Sequence, residues 1–307
     1  MIIQIYEIQT PYEAERCIEL GVDQIGSVLL SQDDWRLHVL KEVTRICEKT
    51  EISSSLIPLF QDSNTLYRAI DYYRPDFIHF CESLTDGDGQ EIGLDRFIEF
   101  QANLKGKFPE IGIMRSIPIP EENASSGFPS LNIAKVLEPV SDVFLTDTWI
   151  GREPVEGYIG ITGITGDLEM ARDLVLQSKI PVILAGGLSP ENVFDAILKV
   201  FPAGADSCTL TNQINQEGHP IRFKKDFKKV EKFVNEVRRA EEQIQLKREQ
   251  LNKKLNELKE ELREREASLP AHSIRPHQLM AIEALEEEIV AKKKELECLG
   301  GRAVAAD

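Results

Sequence analysis

Long apolar runs are missing from this 307-residue chain, and so is any excess of positive charge. A membrane-spanning helix needs about 20 consecutive apolar residues; none is found, so no membrane partner is expected. Lysine and arginine total 36 against 52 aspartates and glutamates, a net charge of -16. That balance argues against nucleic acid as a partner, because affinity for a polyanion rests on clustered basic side chains. The five cysteines (Cys17, Cys47, Cys81, Cys208, Cys298) are scattered and form no CxxC pair, which favours neither a disulfide framework nor a zinc site and fits a reducing cytoplasm. His272 and His277 lie five apart across a proline turn with no third ligand in sequence; neither a metal nor another cofactor is expected. The start, MIIQIYEI, is too short and too soon charged for a signal peptide, and a cytoplasmic location is the expectation.

What is present is a repeating pattern. Over the first three-quarters, short apolar runs alternate with amphipathic stretches, as in βα units around a parallel sheet. Eight strands are expected, at 2–6, 24–30, 55–60, 76–81, 111–117, 142–147, 181–185 and 205–210, with helices such as 12–20, 64–73, 168–177 and 191–200 between them. Eight units in about 240 residues is the size of a (β/α)8 barrel, with a doubly wound open sheet as the alternative. Lys224, Lys225, Lys228, Lys229 and Lys232 alternate with Phe223, Phe227, Val230 and Phe233, which reads as the solvated face of an amphipathic helix. Near Arg238 the composition changes to charged, glycine-free sequence, with Val237, Ile244, Leu251 and Leu258 seven apart and Leu255 and Leu262 interleaved. This predicts a barrel over 1–238 and an antiparallel coiled-coil hairpin with a loose tail over 239–307, its second helix from about Pro276 to Glu297 with Leu279, Ile282, Ile289 and Leu296 on one face. The hairpin would close on itself, or support a homodimer or a protein partner.

The stretch PVILAGGLSPENV (181–193) reads as strand, turn and helix, with Ser189 as N-cap and Pro190 in the first turn. Gly186 and Gly187 can take positive φ and bare their amides beside a helix N-terminus, which suits a phosphate; equally they can make a tight βα turn. In barrels, phosphate is commonly held after strands seven and eight, and that coincidence favours a phosphorylated small molecule as the partner. Asp147 ends strand six, while Glu7, Glu82 and Arg115 sit at or near the ends of strands one, four and five. Polar groups there are not explained by barrel filling, which is apolar and layered.

GVDQIGSV (21–28), IHFCES (78–83) and LAGGLSPENV (184–193) together resemble the phosphoribosylanthranilate isomerase family of tryptophan biosynthesis, over about residues 1–235. The resemblance implies an Amadori rearrangement in which an acid at the end of strand six assists ribose ring opening and a cysteine at the end of strand one removes the proton from C2. Asp147 matches the acid. Where the family reads KICGITRPEDA this chain reads QIYEIQTPYEA (4–14), so Tyr6 stands at the cysteine and Glu7 at the glycine after it. A neutral tyrosine is a poor base at pH 7; Glu7 could serve if its loop turned it inward, and Asp147, Glu7 and Tyr6 are the candidate catalytic residues. The family's loop-one S-P-R stands against SQDDWR (31–36), which makes Arg36 a candidate ligand. The GITGITGD segment (160–167) offers Gly160, Thr162 and Gly163. SCTLTN (207–212), in place of the strand-eight SSGVE turn, offers Thr209, Thr211 and Asn212. Two other readings stay open: an isomerase or lyase on a different phosphorylated molecule, and a non-catalytic barrel that binds one.

Overall fold

The computed structural model describes residues 1–50, 52–122, 127–269 and 275–299. Eight parallel strands close into a barrel in chain order: β1 (Ile2–Ile5), β2 (Gln24–Leu29), β3 (Ser53–Pro58), β4 (Phe77–Phe80), β5 (Gly112–Pro120), β6 (Val143–Trp149), β7 (Val182–Leu184) and β8 (Gly204–Ser207). The helices α1 (Pro11–Glu19), α2 (His38–Thr50), α3 (Ser63–Tyr73), α4 (Asp95–Lys107), α5 (Ser130–Leu137), α6 (Leu168–Gln177) and α7 (Val193–Val200) alternate with them. Closure rests on β1 pairing with β8, Gln4 standing opposite Asp206. The open sheet is thereby excluded.

Local chemistry sets these boundaries. Thr10 and Glu13 form a capping box at the start of α1, and Asp62 and Asp167 accept first-turn amides of α3 and α6. Outside the strands, apolar faces of helices and strands pack in layers, Leu66, Ile70, Ile78 and Leu104 in one cluster and Ile117, Ile133, Phe144 and Leu174 in another. Inside, the fill is mixed. Tyr6, Met114, Val143, Leu145 and Ile183 pack together, while Gln4, His79, Ser116 and Asp206 are buried polar groups.

After β8 the chain departs from expectation. Asn212–Ile214 (β9) and Pro220–Lys225 (β10) form an antiparallel hairpin, so Phe223 to Lys225 are strand rather than helix. Lys225 is fully buried, its ammonium donating to the Cys208 carbonyl (2.7 Å) and to Asn212 Oδ1 (2.6 Å). The helix that follows, α8 (Phe227–Ala267), is a single element of 41 residues. The chain divides into compact units between Arg238 and Arg239, within α8. In the second unit α8 and α9 (Pro276–Cys298) bury Leu255, Leu258, Leu285 and Ile289 against each other, with Lys247 3.6 Å from Glu295. Leu279, expected on the packed face, is 45% exposed; Leu285 takes that role. His272 and the tail lie outside the described residues.

Candidate active site

The C-terminal mouth of the barrel encloses a cavity of about 80 Å³, lined by Tyr6, Glu7, His79, Asp147, Asp206 and Arg222 among apolar residues including Val28, Ile57, Leu145 and Ile159. The loop after β6 covers it. Ile159 donates its amide to the Cys81 carbonyl, Ser83 donates to the Gly157 carbonyl, and Tyr158 bridges to Glu82. Gly160 (φ 108°) lies against the Asp147 carboxyl so closely that a Cβ would overlap it. A side chain at 160 would therefore push either the loop or the acid aside.

Asp147 has one hydrogen bond from its own strand, the Thr148 amide to Oδ1 at 3.1 Å, and is not among the residues that form ion pairs in the described chain. Burial, and then the nearby charge of Asp206, push its carboxyl up to about 8. It is protonated at neutral pH, the state a general acid requires.

The residues at the end of β1 behave differently. The Tyr6 ring occupies the space left by the missing side chain of Gly26. Its hydroxyl reaches across the barrel, 2.6 Å from Ser55 Oγ and 2.7 Å from His79 Nδ1, while His79 Nε2 is 2.8 Å from Ser116 Oγ. Burial raises the phenol well above its usual range and lowers His79 to about 3. Tyr6 is thus a neutral, fully hydrogen-bonded core group. Glu7 adopts φ 63°, a left-handed conformation costly for a side chain other than glycine. Its carboxylate accepts from Arg222 Nε (2.6 Å), Asn212 Nδ2 (3.2 Å) and the Phe223 amide (3.3 Å). Burial opposes its ionisation, but Arg222 outweighs that and holds Glu7 below the ordinary carboxylate range.

Gly186 and Gly187 form the turn after β7. Both have positive φ (92° and 59°). A Cβ at Gly187 would overlap the backbone of Ile164 and Thr165, and one at Gly186 the Thr148 hydroxyl, so the close approach accommodates the β6 loop. Gly186 also lines the cavity. Ser189 accepts the Glu191 amide (3.2 Å), but α7 begins at Val193 rather than Pro190. Asn192 Oδ1 takes the Ser189 amide (2.8 Å), which extends the turn before the helix.

Other candidates are used structurally. Arg36 is exposed, its guanidinium 4.8 Å over the Tyr72 ring, and does not reach the cavity. Arg115 points outward from β5 to pair with Glu82 (2.6 Å) over Phe97, so neither charge of that buried pair lines the cavity. Thr162 accepts the Ile164 amide and Gly163 packs near Thr209. Thr211 donates to the Cys208 carbonyl, and Asn212 links Glu7 to Lys225. Arg222 and Asp206 line the mouth, although sequence reasoning singled out neither.

No family model matches the chain. A curated relative from Methanosarcina mazei, N-(5'-phosphoribosyl)anthranilate isomerase 2, is 27% identical over 245 residues, 78% of this chain and 94% of that protein. The N-(5'-phosphoribosyl)anthranilate isomerase of Methanosarcina acetivorans is 31% identical over 132 residues, which span 42% of this chain and 52% of that protein. Among solved structures, the N-(5'-phosphoribosyl)anthranilate isomerase of Pyrococcus furiosus matches 78% of this chain and 99% of its own with a TM-score of 0.53 at 24% identity, a likeness of fold.

Proposed function

We propose that this member of the phosphoribosylanthranilate isomerase family catalyses the reaction for which its relatives are named, the Amadori isomerisation of an N-phosphoribosyl anthranilate. The observation that carries the reading is Asp147: a carboxyl in the C-terminal half of β6, lining the mouth of the barrel and held protonated at neutral pH. Such a group can deliver a proton to the ribose ring oxygen, so that the C1–O bond opens to an iminium. The apolar lining of the cavity, with Val28, Ile57 and Ile159, suits an aryl group, and Gly186, which lines the cavity with a positive φ, is the proposed contact for the phosphate. Small-molecule sites usually span about 300–1,000 Å³, more than this cavity offers, and the β6 loop that lies over it is the part to lift.

Tyr6 and Glu7 are committed to the core network and to Arg222, so proton abstraction from C2 falls to another group. The test is direct. The purified full chain, mixed with freshly generated phosphoribosylanthranilate, should consume its fluorescence, and the gene should restore growth without tryptophan to a strain lacking the isomerase. Failure of both would remove the reading.

A further inference from the structure

We propose that Asp206, on β8, is the residue that takes the proton from C2 in the reaction assigned above, on which this inference rests. β8 is hydrogen-bonded to β1, and Asp206 lies directly opposite Gln4, two residues before Tyr6. Asp206 lines the same cavity as Asp147. Gln4 Nε2 donates to Oδ1 at 3.1 Å, and Asp206 forms no ion pair shorter than the usual limit among the described residues. The charged and titratable groups around it are Asp147, Lys225, Glu7, Arg222, Tyr6, His79, Cys81 and Cys208. Burial pushes its carboxyl up to about 7, against the pull of the Gln4 hydrogen bond and the Lys225 charge.

With Asp147 raised to about 8 by burial and the Asp206 charge, and Asp206 raised to about 7 by burial, the pair carries one proton between about pH 7 and pH 8. The isomerisation uses that single proton. Asp147 passes it to the ring oxygen as the C1–O bond opens. The C2–H bond then breaks, its proton goes to Asp206, and its electron pair forms the C1–C2 double bond as the iminium nitrogen regains its lone pair. In the last step the Asp206 proton goes to C1 while the proton of the enol hydroxyl goes to Asp147, leaving the ketone and restoring the starting pair. No external oxidant, reductant or further acid is needed.

The other groups at the mouth are unsuited to this step. Both ring nitrogens of His79 are taken by Tyr6 and Ser116, and burial keeps the imidazole weakly basic. The Cys208 thiol is driven well above its usual range by burial.

Two measurements on the full chain test the assignment. In steady-state turnover, Asp206→Asn should lower kcat by about 10² to 10⁴ with KM changed less than about threefold, and Asp206→Glu should recover part of the loss. An active wild type with unchanged kcat in Asp206→Asn would overturn the role. The second readout needs no activity: in protein labelled with ¹³C at aspartate side chains, two carboxyl signals should titrate near neutrality. In Asp206→Asn one should vanish and the other move to lower pH, because the repulsion is gone. Absence of such a pair, or an Asp147 signal indifferent to the substitution, would overturn the pairing. A wild type that titrates as described but turns nothing over would instead count against the reaction. The dispersion of the same spectra shows whether each variant is folded.

Discussion

Glu7 and Asp147 are carboxyl side chains on the rim of one barrel mouth, yet their surroundings drive them in opposite directions. Glu7 is given a guanidinium, an amide side chain and a backbone amide, and stays ionised. Asp147 is given burial, one amide and a neighbouring carboxyl, and stays protonated. A charge whose hydrogen-bonding capacity is already filled holds structure together, whereas a carboxyl kept neutral against its ordinary preference has a proton to give. The first belongs to the hairpin after β8 and the second to the chemistry.

The largest effect that would break this comparison is on turnover. Asp147→Asn should lower kcat by about 10² to 10⁴, with the barrel intact. If the purified variant turns over phosphoribosylanthranilate at the wild-type rate, Asp147 is a structural residue like Glu7.

Next in size is the ion pair itself. Arg222→Met should destabilise the protein by about 3 kcal/mol in denaturant melts, because the Glu7 carboxylate is then left buried without its cation. Adding Glu7→Gln should restore much of that loss, a non-additivity that a double-mutant cycle would register. The sign with pH follows from the lowered Glu7 pKa. The contribution is present above the unfolded-state value, about 4.3, and is lost as pH falls through the folded value. Wild type and Arg222→Met should therefore converge in acid.

For Asp147 the linkage runs the other way. A carboxyl raised to about 8 in the fold binds more protons folded than unfolded between about pH 4 and pH 8. Stability from this group is full below the unfolded value and is lost as pH rises through the folded one. Asp147→Asn, slowed by the first prediction, should thus be more stable than wild type at pH 8 by about 1–2 kcal/mol and no more stable at pH 4. Equal gains at both pH values would show that burial does not hold the proton there.

The eight strands and most helices were legible because parallel strands covered on both faces show as apolar runs between amphipathic stretches; the caps at Thr10, Asp62 and Asp167 that fix three helix starts went unread. Asp147 was legible as a charge near the C-terminal end of a strand, and although β6 runs on to Trp149 its parity turns Asp147 into the mouth. The same rule misplaced Arg115: β5 runs on to Pro120, so Arg115 lies mid-strand, and one residue of parity puts Met114 and Ser116 inside and Arg115 outside. Alternation of Lys with Phe fits a helix face and a strand face equally over a few residues, and Phe223–Lys225 took the second. The Gln-Glu-Gly turn before Ile221 and the period of two in Ile221, Arg222, Phe223 and Lys224 were the signals for that hairpin. The role of Arg222 could not be read at all, since its partner is 215 residues away in sequence.

The smallest effect concerns Tyr6, the third group on the rim and the one that stands where the resemblance places a cysteine. If its hydroxyl only ties the barrel interior together, Tyr6→Phe removes partners from Ser55 and His79 and leaves the ring packed against Gly26. The cost should be about 1–2 kcal/mol, the penalty for buried polar groups deprived of a hydrogen bond. Turnover should stay within about threefold, because a phenol raised by burial well above its usual range transfers no proton near neutrality. Tyr6→Cys removes the ring as well, so cavity formation adds to the loss and brings it to about 3–5 kcal/mol. Melting and turnover measured on both variants separate packing from chemistry. A Phe variant that melts like wild type but loses 100-fold or more in kcat would move Tyr6 from the core network into the reaction, and would leave Glu7 as the one rim residue whose work is purely structural.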